Sequence, residues 1–236
     1  MTTADARTWR RAAFALFAVA AGTNVPTPLL LIYRDTLDLG PDVLTAVFGC
    51  YALGLVPALA FAGPLSDRLG RRRVMLPCMV LAALTSLLLV AAASSLPVLF
   101  AGRALQGAVS GAVFTVGSAW VAELSLVGGD GAAGRRSAVA MTGGFSLGPF
   151  VSGLLGEYAP RPTTLPYLLH VVVAVAGLLA VLRVPETVAL VASQERSSRG
   201  PLVERGDRRV LLTVLAPLAV CVYAFPTVVV SAVPAV

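Results

Sequence analysis

Few residues in this 236-residue chain have chemistry to offer, and their placement says which kind. The segment Gly63-Pro64-Leu65-Ser66-Asp67-Arg68-Leu69-Gly70-Arg71-Arg72-Arg73 holds five charges, whereas the flanking stretches 43–62 and 74–93 hold none. Glu123 closes another uncharged stretch further on. Carboxylates and guanidiniums grouped in this way form charge-assisted bonds that can lock and release a structure. Arg103, followed by Gln106 and Gly107, is the one charged residue within any apolar stretch. A guanidinium there costs several kcal/mol unless it faces a wet cavity or a partner. His170, the sole histidine, titrates in a range suited to carrying protons. A lone histidine in an apolar helix is more often packed and hydrogen-bonded, and that reading is preferred here. No nucleophile–base pair, metal-ligand cluster or phosphate loop is present, so the pattern argues against an enzyme, a metal site and a cofactor.

The chain is 57% hydrophobic and 13% charged, with a mean hydropathy of +0.85. Soluble domains carry about a quarter charged residues. Apolar spans run over 12–33, 43–62, 74–93, 96–121, 137–155, 165–182 and from 210 onward. About twenty apolar residues cross the hydrocarbon core as a helix, and lipid obliges each backbone amide to bond within its own segment. The predicted fold is therefore an all-α polytopic membrane protein. Arg10-Arg11, an apolar run and Ala18-Val19-Ala20 imitate a secretory leader. Apolar character continues through Ile32, longer than a leader's core, so 12–33 is read as a span. The cysteines Cys50, Cys78 and Cys221 all fall inside spans and read as small buried hydrophobes.

The charges orient the bundle. All eighteen basic residues are arginine; fifteen fall before the first span or in alternate loops (63–73, 122–136 and 183–209), and two, Arg34 and Arg161, on the opposite side. That asymmetry places the N-terminus in the cytoplasm of a cell-membrane protein and accounts for the +6 charge without nucleic acid. The polar, mixed-charge run Ser193-Gln194-Glu195-Arg196-Ser197-Ser198-Arg199-Gly200-Pro201 marks a linker. The expected division is a six-span domain over 1–182, a cytoplasmic linker over 183–209 and a seventh span over 210–236.

The pattern G-x-L-x-D-R-x-G-R-R-x over 63–73 resembles, at every position, the loop 2–3 signature of the major facilitator superfamily of secondary transporters. Leu99-Phe100-Ala101-Gly102-Arg103-Ala104-Leu105-Gln106-Gly107 is similar to that family's fourth-helix motif. Gly144-Phe145-Ser146-Leu147-Gly148-Pro149-Phe150-Val151-Ser152-Gly153 resembles the fifth-helix motif of its drug:proton antiporters, with Ser152 in place of one glycine. Val184-Pro185-Glu186-Thr187 resembles the Pro-Glu-Thr that follows the sixth helix. The resemblance extends over residues 12 to about 230.

That resemblance implies alternating access between two six-helix halves, small-molecule substrates and proton antiport. It implies a latch of Gly63, Asp67, Arg68, Gly70, Arg71, Arg72 and Glu123, in which Arg72 is read mainly as a topology charge. It puts Arg103, Gln106, Gly107 and Asn24 at the cavity, and makes Gly144, Gly148, Pro149, Ser152 and Gly153 a pliable interface. Asn24 stands where related antiporters often carry an acid, and no Asp or Glu lies within any span. Proton coupling thus comes from the resemblance alone. The stripes Cys50–Gly54–Ala58–Ala62 and Gly144–Gly148–Ser152–Gly156 permit close helix approach. With a second half missing, they are expected to face lipid or another copy of the chain. The alternatives are a metabolite or sugar symporter or uniporter of the same superfamily, and a non-transporting truncated membrane protein.

Overall fold

The computed structural model describes residues 8–125 and 131–187. These form seven α-helices: α1 Thr8–Thr23, α2 Pro26–Leu37, α3 Pro41–Leu69, α4 Arg71–Val90, α5 Leu96–Glu123, α6 Ala132–Tyr158 and α7 Leu165–Val181, with a 3-10 turn over Ala91–Ser94. Prolines begin most of them. Pro26, Pro41, Pro97 and Pro166 sit at the first or second helical position, where a missing amide costs nothing. The expected linker beyond Thr187 and the seventh span lie outside the described residues.

Two sequence expectations are corrected. The span 12–33 is not one helix but two, broken at Asn24 and Val25. Pro26 has no amide to offer the carbonyl of Gly22, and Pro28 none for Asn24. The chain tightens instead, with Val25 N bonding Gly22 O at 3.3 Å and Thr27 N bonding Asn24 O at 3.1 Å. The two pieces still run as one thirty-residue membrane-length segment, Thr8–Leu37. The segment 63–73 is likewise not an open loop. Helix α3 continues through Leu69, and Gly70 alone makes the turn at φ 104°, a conformation that disfavours side chains.

Among the described residues five segments are long and apolar enough to cross a membrane, and the shorter apolar α7 follows them. Leu53, Val56, Phe61, Val139, Phe150 and Val172 are each more than 60% exposed. An apolar surface of that extent needs hydrocarbon around it, so the protein is integral to a membrane.

Helix α1 lies at the centre and packs against α5, α6 and α7, while α3 pairs with α5 and α4 with α7. One core cluster joins Leu16, Met75, Met79, Val113 and Trp120; a second joins Leu29, Tyr33, Val47, Leu99 and Tyr167. Apolar area gives little drive for association within lipid, so close backbone contact must supply it. Glycines provide that contact between α3 and α5. A Cβ on Gly107 would sit 2.0 Å from Tyr51 O, and one on Gly54 2.0 Å from Ala104 O.

Candidate functional site

At the end of the bundle where α3 meets α4, the charges converge. Arg71, first residue of α4, is 9% exposed. Its Nη1 lies 2.5 Å from Asp67 Oδ1 and from Ser66 Oγ, and its Nη2 and Nε lie 2.8 and 3.0 Å from Glu123 Oε1. The Glu123 side chain is 12% exposed and that of Asp67 is 61% exposed. The Arg71–Glu123 contact is thus the sheltered one. Breaking a pair buried on both sides costs about 3–5 kcal/mol, whereas an exposed one contributes about 0–1 kcal/mol.

The same cluster contains a group that sequence reasoning missed. Glu186 accepts hydrogen bonds from the backbone amides of Arg71 at 2.8 Å and Arg72 at 3.0 Å. Its carboxylate therefore caps α4, satisfying donors that a helix start leaves open and facing the positive end of the dipole. Thr187 Oγ1 donates to Glu123 Oε2, and Trp120 Nε1 donates to Pro185 O at 3.3 Å. Arg72 is corrected from a mere topology charge, since its Nη2 donates to Leu182 O at 2.7 Å and so ties α4 to the end of α7. Arg68 is exposed, and Gly63 packs toward Thr115 of α5. The charge cluster therefore joins α3, α4, α5 and the segment after α7.

The second constellation surrounds the break in α1. Arg103 is 2% exposed, so its guanidinium stays inside the bundle. Its Nη1 donates to Thr23 O at 3.1 Å and to Gln106 Oε1 at 2.5 Å, and Gln106 Nε2 donates to Gly22 O at 2.6 Å. Pro26 strips Gly22 O of its usual partner and Thr27 N turns to Asn24 O rather than Thr23 O, so α5 supplies replacements for both open carbonyls. The guanidinium also lies 4.7 Å from the Tyr51 ring centre and 5.8 Å from that of Phe48. Among the described residues it forms no salt bridge, and its Nε has no hydrogen-bond partner.

Asn24 sits at the break, where its backbone carbonyl accepts from Thr27 N. Gly107 belongs to the α3–α5 packing, a correction to its expected cavity role. Beside Gln106, a cavity of about 10 Å³ is lined by polar groups of Thr23, Thr85, Ser86, Ser110 and His170, room for about one water. His170 Nε2 donates to Ala18 O at 3.0 Å. That leaves Nδ1 of the neutral ring to accept from Ser86 Oγ at 2.6 Å. His170 is the packed, hydrogen-bonded residue that its setting suggested.

The small-residue stripes are occupied within this bundle, which corrects the expectation that they face lipid or another copy. A Cβ on Gly144 or Gly148 would lie 2.5 Å from Phe17 O or 2.1 Å from Ala21 O. Ser152 Oγ donates to Val25 O at 2.6 Å. Pro149 is half-buried within α6, and Gly153 stands 3.7 Å from Pro28 by the same measure. The outward side of α6 shows Val139 and Phe150 instead.

An α-helical bundle with a charge cluster at one end and a buried arginine at a broken helix defines a polytopic membrane protein. The chain belongs to the Major Facilitator Superfamily, whose profile matches residues 12–235. It is 38% identical to a triacylglyceride transporter of Mycolicibacterium hassiacum over 41% of this chain and 19% of that protein. It is 32% identical to the putative multidrug resistance protein MdtD of Cronobacter sakazakii, over 72% of this chain and 36% of that protein. The quinolone resistance protein NorA of Staphylococcus aureus is 23% identical over 78% of this chain and 45% of its own length. The matches thus span less than half the length of these curated relatives.

Proposed function

We propose that this chain supplies the N-terminal six-helix half of a drug exporter that works by alternating access, with proton antiport. The observation that carries the reading is the latch, where Asp67, Arg71, Glu123 and Glu186 tie four elements together at one end. Such a cluster can hold one conformation and release another, the bistable element that alternating access requires. The N-terminus and the latch face the cytoplasm of the cell membrane, 183–209 links the halves, and a seventh span begins the second. Arg103 and Gln106 border the substrate path, and their hold on the α1 break passes motion from α5 to α1. Drug export is favoured by the fifth-helix motif and by the similarity to the putative multidrug resistance protein MdtD and the quinolone resistance protein NorA. The rival reading, metabolite uptake by a symporter or uniporter, draws support from the confinement of the described acids to the ends of the helices, away from the middle of any span.

The test is accumulation of a panel of lipophilic cations, quinolones and sugars by energised cells producing a twelve-span form that carries this half. Lower accumulation of cations or quinolones, restored by an uncoupler, is the expected result. Raised sugar uptake with unchanged drug accumulation would overturn it.

A further inference from the structure

Helices α6 and α7 flank α1 with little contact between themselves, leaving a seam along the bundle. At the end where α1 and α6 begin, Trp9 carries two guanidiniums, with Arg136 Cζ 4.2 Å and Arg10 Cζ 5.6 Å from its ring centre. Arg135 stands beside them, exposed, and among the described residues the first turns of α1 and α6 hold no acid. This differs from the latch arginine Arg71, which meets Asp67 and Glu123. Attraction to an indole gathers like charges at this corner without neutralising them.

Further along the same seam lies an apolar crevice of about 200 Å³, bounded by Phe17 and Ala21 of α1, Leu147 and Val151 of α6, and Leu169 and Val173 of α7. An apolar cavity of about 150 Å³ accepts one benzene ring, and drug-sized ligands need about 300 Å³ or more. A short run of hydrocarbon chain therefore fits. The polar groups at its floor are already engaged, His170 by Ser86 and Ala18, and Ser152 by Val25. Nothing there asks for a polar ligand.

The two features are spaced for one molecule. Trp9 begins the i, i+4 row that continues through Ala13 to Phe17 and Ala21, and Arg136 begins the row that leads to Gly144 and Gly148. From Trp9 to Phe17 and Ala21 is about 12–18 Å of helix, and from Arg136 to Leu147 about 16 Å. One leaflet is about 15 Å deep. We propose that the α6–α7 seam seats one anionic phospholipid, its phosphate at Trp9, Arg10 and Arg136 and the end of one acyl chain in the crevice. The proposal rests on membrane placement alone and stands apart from whether the protein exports drugs.

The test reconstitutes the protein in phosphatidylcholine vesicles containing a trace of phosphatidylglycerol or phosphatidylcholine with a diazirine at the end of one acyl chain. After irradiation, labelled peptides are mapped by mass spectrometry. Labelling at Leu147, Leu169 and Val173 should be at least about tenfold stronger from phosphatidylglycerol. Arg10→Gln and Arg136→Gln should each remove about fivefold of that preference, Arg136→Lys should keep most of it, and labelling by phosphatidylcholine should not change. Equal labelling of the wild-type protein by the two lipids would overturn the proposal and mark ordinary bilayer contact. A preference that survives both glutamine variants, or one that millimolar inorganic phosphate abolishes, would overturn it as well.

Discussion

The Glu186 cap can be isolated by pairing it with the glycine that makes room for it. A Cβ on Gly70 would stand 2.5 Å from Glu186 Oε2 and 2.8 Å from its carboxyl carbon. Gly70→Ala therefore adds two penalties. One is the positive φ of 104°, which costs an alanine about 1–2 kcal/mol. The other is eviction of the carboxylate from the amides of Arg71 and Arg72. Loss of a helix cap costs about 1 kcal/mol, and loss of a charge at the dipole's positive end adds about 0.3–1 kcal/mol. Glu186→Ala should then cost about 1–2 kcal/mol and Gly70→Ala about 2–4 kcal/mol. Because the cap can be lost only once, the double variant should fall short of the summed losses by about 1–2 kcal/mol. At 2–4 °C per kcal/mol for a chain of this size, that shortfall is about 2–8 °C in apparent Tm, readable by tryptophan fluorescence of the four purified proteins in one detergent. Distant, independent sites add within about 0.3–0.5 kcal/mol. Additivity of that quality would refute the cap.

Four further outcomes follow from the contacts described above. Glu123→Ala, which leaves the sheltered Arg71 with only the exposed carboxylate of Asp67, should lower stability by about 3 kcal/mol, whereas Asp67→Asn should lower it by less than about 1 kcal/mol; thermal melts separate them. Asp67→Asn should nonetheless slow transport in a twelve-span form, since the proposed role of that contact is to differ between states. Arg72→Gln should loosen the end of α7 by about 1 kcal/mol, seen as faster amide exchange near Leu182, because it removes a hydrogen bond from that carbonyl. Gly107→Val should abolish the monodisperse folded peak in size-exclusion chromatography, whereas Gly49→Ala, with nothing within 4 Å of its Cβ position, should leave that peak unchanged.

How legible these features were depended on whether their partners were local. Span positions followed from apolar runs because lipid permits only internally bonded backbone, and the meeting of Asp67, Arg71 and Glu123 followed from a motif read against membrane sides. The break in α1 was visible in principle, since Pro26 and Pro28 withdraw two amides four residues ahead of Gly22 and Asn24. Continuous apolar character hid it. The i, i+4 glycines announced that a face of α6 meets another backbone, but spacing does not name the partner, which is α1. Glu186 lay furthest from reach, because the amide it caps is 115 residues away in sequence. The available signal was an uncapped helix start after Gly70 together with an acid on the same predicted side. Arg103 reads as a lone charge in sequence, and only the carbonyls of Gly22 and Thr23, left open where α1 breaks, explain where it and Gln106 point.

The central claim is that this half-bundle belongs to an exporter whose function depends on the buried arginine. It is tested most directly in proteoliposomes holding a twelve-span form, with a pH gradient imposed and uptake of a lipophilic cation followed in time. The account predicts saturable, gradient-driven uptake by the wild type, loss of that uptake in Arg103→Ala and partial recovery in Arg103→Lys, which keeps the charge but lacks the planar five-donor fork. Wild-type uptake no greater than in empty vesicles, or full uptake by the alanine variant, would contradict it.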